Sequence, residues 1–166
     1  MKLWQKENTS VSQLIEKFTV GRDKEFDLLL AKHDVRGSIA HIKMLAQVGL
    51  MSQADADAAV KELENIAEEI HNGQFSIEEG IEDVHSQVGY LLTQRIGEAG
   101  KKIHSGRSRN DQVAVDIKLY LREEVILIKQ GVEQLFNLLI EQSEKYKAVL
   151  LPGYTHLQIA MPSSFG

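Results

Sequence analysis

The first 151 residues contain no proline. Proline lacks an N–H and clashes with the preceding turn, so it is the strongest helix breaker. A long proline-free chain with apolar residues at spacings of three and four is constrained to helices. The longest periodic stretch covers residues 109–146, with Val113, Ile117, Leu121, Val125, Ile128, Val132, Leu135 and Leu139 in one stripe. At 1.5 Å per residue it would be roughly 55 Å long, against a radius of gyration of about 15 Å for a compact chain of this size. Such a helix overshoots its own domain and buries its stripe in a bundle, often one shared between subunits. Gly131 inside it costs up to about 1 kcal/mol relative to alanine, and a close helix–helix crossing is the simplest compensation.

Shorter helices precede it. Residues 1–9 read as an irregular arm with Leu3 and Trp4 as anchors, and a first short helix starts at Ser10. A second spans 23–48, stopped by Gly49, with Gly37 and Ser38 marking either a close approach of another backbone or a kink. A third is capped by Ser52, with Asp55 at the reciprocal position, and ends at Asn72-Gly73. Its acidic face reads as solvated. A fourth spans 81–98, after a connector over 74–80. The architecture expected is all-α: an N-terminal helical domain over 1–105, then the beginning of a central long-helix bundle domain over 106–166. Pro162 reads as the opening of another helix, and an end at Gly166 four residues later reads as a fragment.

Chemistry gathers in three places. Ser105-Gly106-Arg107-Ser108-Arg109-Asn110-Asp111-Gln112 brings two guanidinium groups, two hydroxyls and two amides to a helix start, where free N–H groups and the macrodipole favour an anion. The alternative is a capped turn with two solvated arginines, since Ser108 and Asp111 have capping-box spacing. Near the start of the fourth helix stand Glu82, Asp83 and His85; a carboxylate orienting an imidazole recurs in catalysis, and acidic residues also simply suit a first turn. Their spacing matches no metal-ligand motif. Leu151-Pro152-Gly153-Tyr154-Thr155-His156-Leu157-Gln158 presents a phenol, a hydroxyl, an imidazole and an amide on backbone expected to be irregular. His156 there is either a proton-transfer group or an ordinary surface histidine.

Composition removes other classes. With 19 basic and 24 acidic residues the net charge is −5, which disfavours a general polyanion binder. The local basic run from Lys101 to Arg109 lacks interleaved aromatics, which disfavours a nucleic-acid platform. The chain has no cysteine, so disulfides, thiolate metal sites and cysteine nucleophiles are excluded. It shows no signal-peptide core and no run of membrane-span length, and a cytoplasmic location is expected.

Ser105 through Gln112 resembles a signature of the argininosuccinate lyases, and Pro152 through Gln158 resembles a second. Leu3-Trp4, His33-Asp34-Val35 before Gly37-Ser38, Glu82-Asp83-Val84-His85 and Gly100-Lys101-Lys102-Ile103-His104 agree in order and spacing. The resemblance covers essentially the whole chain and lies within the fumarase–aspartase superfamily. It implies an all-α homotetramer whose long helices form one bundle and whose active sites are each built from three subunits. It implies reversible elimination of argininosuccinate to fumarate and L-arginine, in arginine biosynthesis, with no metal and no organic cofactor. Charge then develops on a substrate carboxylate as a proton leaves the adjacent carbon, so prepositioned donors lower the barrier most. By resemblance Ser108, Arg109, Asn110 and Thr155 contact substrate, and His156 carries the general acid/base position. His85 and Asp83 match a segment near the site.

The chain departs from the family in three places. Gln5-Lys6-Glu7-Asn8 stands where members show Gly-Gly-Arg-Phe. A substrate-binding serine expected just after Phe18 is replaced by the lengthened segment Thr19-Val20-Gly21-Arg22-Asp23. The family's mobile Gly-Ser-Ser loop, its Lys-x-Asn segment and the glutamate partner of its histidine belong downstream of residue 166, so the chain alone is expected to be inactive. Competing expectations are a sister lyase with another substrate, and a non-catalytic helical assembly module.

Overall fold

The computed structural model describes Phe18 and residues 21–166, which form two compact units dividing between Leu121 and Arg122. The expected N-terminal arm, the helix from Ser10 and the start of the segment after Phe18 lie outside the described residues. In order along the chain come α1 (Asp23–Gln47), α2 (Gln53–His71), α3 (Val84–Ile96), the short α4 (Glu98–Lys101), a 3-10 turn (Lys102–His104), α5 (Arg109–Tyr146), β1 (Leu150–Thr155) and β2 (Gln158–Ser164). Among the described residues the fold is all-α apart from this one hairpin. No helix among the described residues is long and apolar enough to cross a membrane.

Local chemistry sets the helix ends. Gly49 (φ 78°) follows the end of α1, where the N–H of Leu50 turns back 2.9 Å to the carbonyl of Leu45. Ser52 Oγ accepts from the N–H of Asp55 at 3.1 Å and caps α2. Asp83 caps α3 by accepting from the N–H of Ser86 at 2.6 Å, so that helix starts at Val84, three residues later than its periodicity suggests. Gly97 (φ 62°) ends α3 and turns the chain into α4.

In the first unit α1, α2 and α3 pack around one core. Val35, Ile42 and Leu45 of α1 meet Ala56, Ala59, Leu63 and Ile66 of α2 and Val88 and Leu92 of α3, with Met51 and Ile103 closing the cluster. Burying each of the large side chains contributes about 1.5–3 kcal/mol relative to exposure. The acidic face of α2 is bridged as well as solvated. Arg95 Nη1 donates to Glu62 Oε1 and to Glu69 Oε1, both at 2.8 Å, and Lys102 Nζ donates to Asp55 Oδ2 at 2.6 Å. Gly37 and Ser38 do not interrupt α1, which runs unbroken through them.

The second unit holds the remainder of α5 and the hairpin. The apolar stripe of α5 is exposed there, with Val125, Ile128, Val132, Leu135 and Leu139 all more than half accessible. Beyond it the expectation of an irregular loop and a new helix at Pro162 is overturned: residues 150–164 pair as two antiparallel strands, with Pro152 opposite Pro162 and Thr155 opposite Gln158. Proline donates no N–H, so it is compatible with a strand that has only one neighbour. The two-residue turn is His156-Leu157, with φ of 48° and 64°, the positive values that a tight hairpin turn requires. Phe165 closes the hairpin, its N–H donating to Val149 O at 2.8 Å and its ring set edge-to-face on Tyr146.

Candidate functional site

The loop before α5 is organised by its own polar groups. Gly106 (φ 70°) lets the chain reverse, and His41 Nε2 donates to the carbonyl of Ser105 at 2.8 Å. Ser108 and Asp111 form the reciprocal cap anticipated from their spacing. The N–H and Oγ of Ser108 both donate to Asp111 Oδ2 at 2.9 Å, and the N–H of Asp111 approaches Ser108 Oγ at 3.4 Å. Those bonds hold the carboxyl of Asp111 below its usual range. Asn110 is exposed in the first turn of α5.

Arg109 is not a solvated arginine. Its Nη1 donates to Gln112 Oε1 at 2.9 Å, its Nη2 donates to Ser86 Oγ at 3.2 Å, and its Nε lies 3.6 Å from Asp83 Oδ2. The start of α3 and the start of α5 are thereby joined through one guanidinium. Of the residues singled out in the sequence, Asp83, His85, Ser108, Arg109 and Asn110 thus belong to one unit. Thr155 and His156 belong to the other, exposed at the end of the hairpin.

Beneath Arg109 lies a buried cluster drawn from three helices. His85 Nδ1 stands 3.0 Å from Asp34 Oδ1 of α1 and 3.5 Å from Asp116 Oδ2 of α5. Gln112 Nε2 donates to the same Asp34 oxygen. Asp34 and Asp116 are at most 1% exposed, and Asp34 Oδ2 and both Asp116 oxygens have no hydrogen-bond partner among the described residues. Burial, then the charge of Asp34, pushes the Asp116 carboxyl up to about 7. Burial opposes charge on His85, yet the hydrogen bond and charge of Asp34, with Asp83 behind it, raise its imidazole above the ordinary value. Nearby His104 goes the other way, down to about 4, through burial and then the charges of Arg109 and Arg107. Arg107 Nη2 donates to Ser38 Oγ at 3.0 Å, and a cavity of about 130 Å³ opens beside it, lined by Gly37, His41, Arg107, Asp111, Gln112, Val115 and Asp116. A larger depression of about 540 Å³ between α1 and α2 is lined by solvent-facing Lys43, Gln53, Asp57, Lys61 and Glu64 and converges on no buried polar group.

Asp34, His85 and Asp116 each offer a ligand atom, all within 4.8 Å of one another. The donor set nonetheless fits an internal ion-pair cluster better than a metal. Asp34 Oδ1 already accepts from Gln112 and lies against His85 Nδ1, and the charges of Arg107 and Arg109 act on Asp116. A cation would have to displace the first two bonds and sit beside two guanidinium groups.

Sequence reasoning missed Asp34 and Asp116 as site residues and named Gln112 only as the last amide of the Ser105–Gln112 segment. A signal was present. Asp34 interrupts the buried series Ala31, Val35, Ser38, Ile42, Leu45 on α1, and Asp116 lies one turn beyond Gln112 on the buried face of α5. A carboxylate inside a buried stripe is costly unless partnered, which marks it for attention.

Comparison with known proteins gives a consistent answer. The profile of the Lyase family matches residues 6–166. An argininosuccinate lyase of Bacteroides thetaiotaomicron is 60% identical over 165 residues, covering 99% of this chain and 37% of that protein. One from Methylococcus capsulatus is 51% identical over 152 residues, covering 92% of this chain and 32% of that protein. The chain thus spans little more than a third of the length of the curated relatives it matches. Among solved structures, the beta-carboxy-cis,cis-muconate cycloisomerase of Acinetobacter calcoaceticus sp. ADP1 has a similar fold, with a TM-score of 0.61 at 21% identity over 92% of this chain and 37% of its own.

Proposed function

The chain belongs to the Lyase family, and from that premise we propose that it is the N-terminal part of an argininosuccinate lyase. The observation that carries the reading is the 60% identity to a curated argininosuccinate lyase across 99% of the chain. The reaction is reversible elimination of argininosuccinate to fumarate and L-arginine, within arginine biosynthesis, in the cytoplasm. A proton leaves the carbon beside a carboxylate and the C–H electron pair becomes the fumarate double bond, while the C–N bonding pair departs with the guanidino nitrogen, which takes up a proton to give L-arginine.

Charge accumulates on that carboxylate in the transition state. Ser108, Arg109 and Asn110 hold donors at a helix start, where an anion is stabilised without reorganisation. Arg109 brings a planar fork suited to carboxylate geometry, already braced by Gln112 and Ser86. Asp83 and His85 stand behind that fork, and Thr155 completes the substrate contacts. His156 is the general acid/base. The exposed stripe of α5 supports a homotetramer whose long helices are covered by other copies and whose active sites are shared between them.

The test is fumarate absorbance on addition of argininosuccinate. The full-length protein is expected to release fumarate, and the 166-residue chain is expected to release none. Failure of the full-length protein on argininosuccinate, with turnover of another succinyl compound, would move the assignment to a sister lyase. Failure on every such substrate would favour a helical assembly module.

A further inference from the structure

We infer that Asp34, Asp116 and Gln112 are positioning residues, through which the buried cluster under α3 sets the direction of the Arg109 fork and holds the ring of His85. The inference rests on the lyase reading for its consequence in turnover, but its geometry stands independently. A carboxylate only accepts hydrogen bonds, so the Gln112 amide must turn its Nε2 toward Asp34. That leaves Oε1 on the opposite side, where it accepts from Arg109 Nη1 at 2.9 Å. One amide thereby ties the guanidinium to a carboxylate that is fully buried on another helix. Ser86 Oγ at 3.2 Å and Asp83 at 3.6 Å bracket the other edge of the fork, so Arg109 is constrained from both sides.

His85 is fixed by the same carboxylate. Its Nδ1 is 3.0 Å from Asp34 and 3.5 Å from Asp116, two acceptors competing for one N–H. A ring carrying both protons offsets charge in a pocket where neither carboxylate reaches water. The charged and titratable groups facing the ring are Asp27 and Asp34 on α1, Asp83 at the cap of its own helix, His104 on the 3-10 turn, and Arg109 and Asp116 on α5. Asp27 Oδ2 also accepts from the N–H of Val84 at 3.2 Å, which locks the first turn of α3 and with it the root of His85. A replacement of Asp34 would therefore be felt at His85 directly and at Arg109 through Gln112.

Nitrogen-15 NMR of the 166-residue chain tests this without any activity. In the parent chain the His85 titration midpoint is expected to lie above that of a free imidazole. Asp34→Asn is expected to lower its titration midpoint by at least about one pH unit, and Asp116→Asn by less. Gln112→Leu is expected to accelerate hydrogen exchange at Arg109 Nη1 at least about tenfold. A dispersed amide spectrum for each variant keeps the comparison within folded protein; Asp116→Asn, an isosteric change, serves if Asp34→Asn does not fold. A His85 midpoint near that of a free imidazole and indifferent to either aspartate would overturn the inference, as would unchanged Arg109 exchange in Gln112→Leu. In the full-length protein, Gln112→Leu is expected to lower kcat/KM for argininosuccinate about tenfold or more. If the parent protein releases no fumarate, the lyase reading fails, and the NMR readouts still decide the positioning roles.

Discussion

Gly37 and Asp116 meet where α1 crosses α5: a Cβ placed on the glycine would stand 3.4 Å from Asp116 Oδ1 and 3.5 Å from Val115 Cγ1. That is contact without overlap, so the glycine admits one methyl group and nothing larger. Gly37→Ala gains up to about 1 kcal/mol of helix propensity and meets no clash, so its stability is expected to stay within about 1 kcal/mol of the parent. Gly37→Leu has to push α5 away and is expected to cost about 1–3 kcal/mol. Gly100 is the contrasting case. Its Cβ would lie 2.5 Å from the carbonyl carbon and 2.6 Å from the oxygen of Leu92, both backbone atoms that cannot rotate aside. Gly100→Ala is therefore expected to be destabilising by about 1–3 kcal/mol despite alanine's propensity. Urea unfolding of the three variants checks the order, and a Gly100→Ala chain as stable as Gly37→Ala would contradict the α3–α4 packing.

A buried carboxyl and a half-buried imidazole give opposing pH dependences over a shared range. The Asp116 carboxyl, raised from 3.8 to about 7, keeps its proton in the folded chain after the unfolded chain has lost it, so stability falls as pH rises through that window. His104, lowered from 6.5 to about 4, stays neutral when folded while the unfolded chain is protonated, so stability rises with pH between those values. Each contributes at most about 1.4 kcal/mol per pH unit, with opposite sign. Asp116→Asn removes the falling part, so relative to the parent its stability should climb between pH 4 and 6.5. His104→Gln removes the rising part and should show a relative decline over the same range. His85, with its imidazole raised, adds a further loss of stability above pH 6.5 in the parent and both variants. Denaturation curves at half-unit pH intervals measure this, and variant curves parallel to the parent would refute it.

The features legible from sequence were those whose cause is local. The span of α5 was readable because period 3.6 persists for ten turns, and the Ser52 and Ser108 caps because a hydroxyl reaches only two or three residues along the chain. Gly49 and Asn72-Gly73 marked stops for the same reason. The Asp34–Gln112 bond joins residues 78 positions apart, and nothing in either neighbourhood names the other. The hairpin was hidden for a different reason. Two prolines and a His-Leu turn carry none of the usual strand or turn preferences, and pairing across the turn supplies what those preferences lack.

Asp83 has two functions that one pair of substitutions separates. Its carboxylate caps α3 through the N–H of Ser86 at 2.6 Å and faces Arg109 Nε at 3.6 Å. Asparagine still caps a helix but carries no charge, so Asp83→Asn is expected to keep most of the stability while loosening Arg109. Asp83→Ala loses the cap and is expected to cost about 1 kcal/mol, within the range of about 0.5–2 kcal/mol for such losses. Thermal unfolding reads the cap, and exchange at Arg109 Nε reads the charge. Equal destabilisation by both variants would assign the stability to the ion pair rather than to the cap.

The stripe of α5 beyond Leu121 sets the last prediction. Val125, Ile128, Val132, Leu135 and Leu139 are 57–65% exposed and recur at spacings of three and four, so they form one continuous apolar band on a helix of 38 residues. Water contact with such a band is unfavourable by about 25 cal/mol per Å², and a second copy presents the same band for mutual burial. The chain is therefore expected to sediment well above its monomer mass of 18.7 kDa. Val132→Glu with Leu135→Glu puts two charges in the middle of the band, where desolvating them costs more than the remaining contacts return. That double variant is expected to sediment as a monomer with its helical circular dichroism retained. A parent chain that is monomeric at tens of micromolar, or a double variant that associates as strongly as the parent, would remove the self-association through this stripe on which the tetramer reading depends.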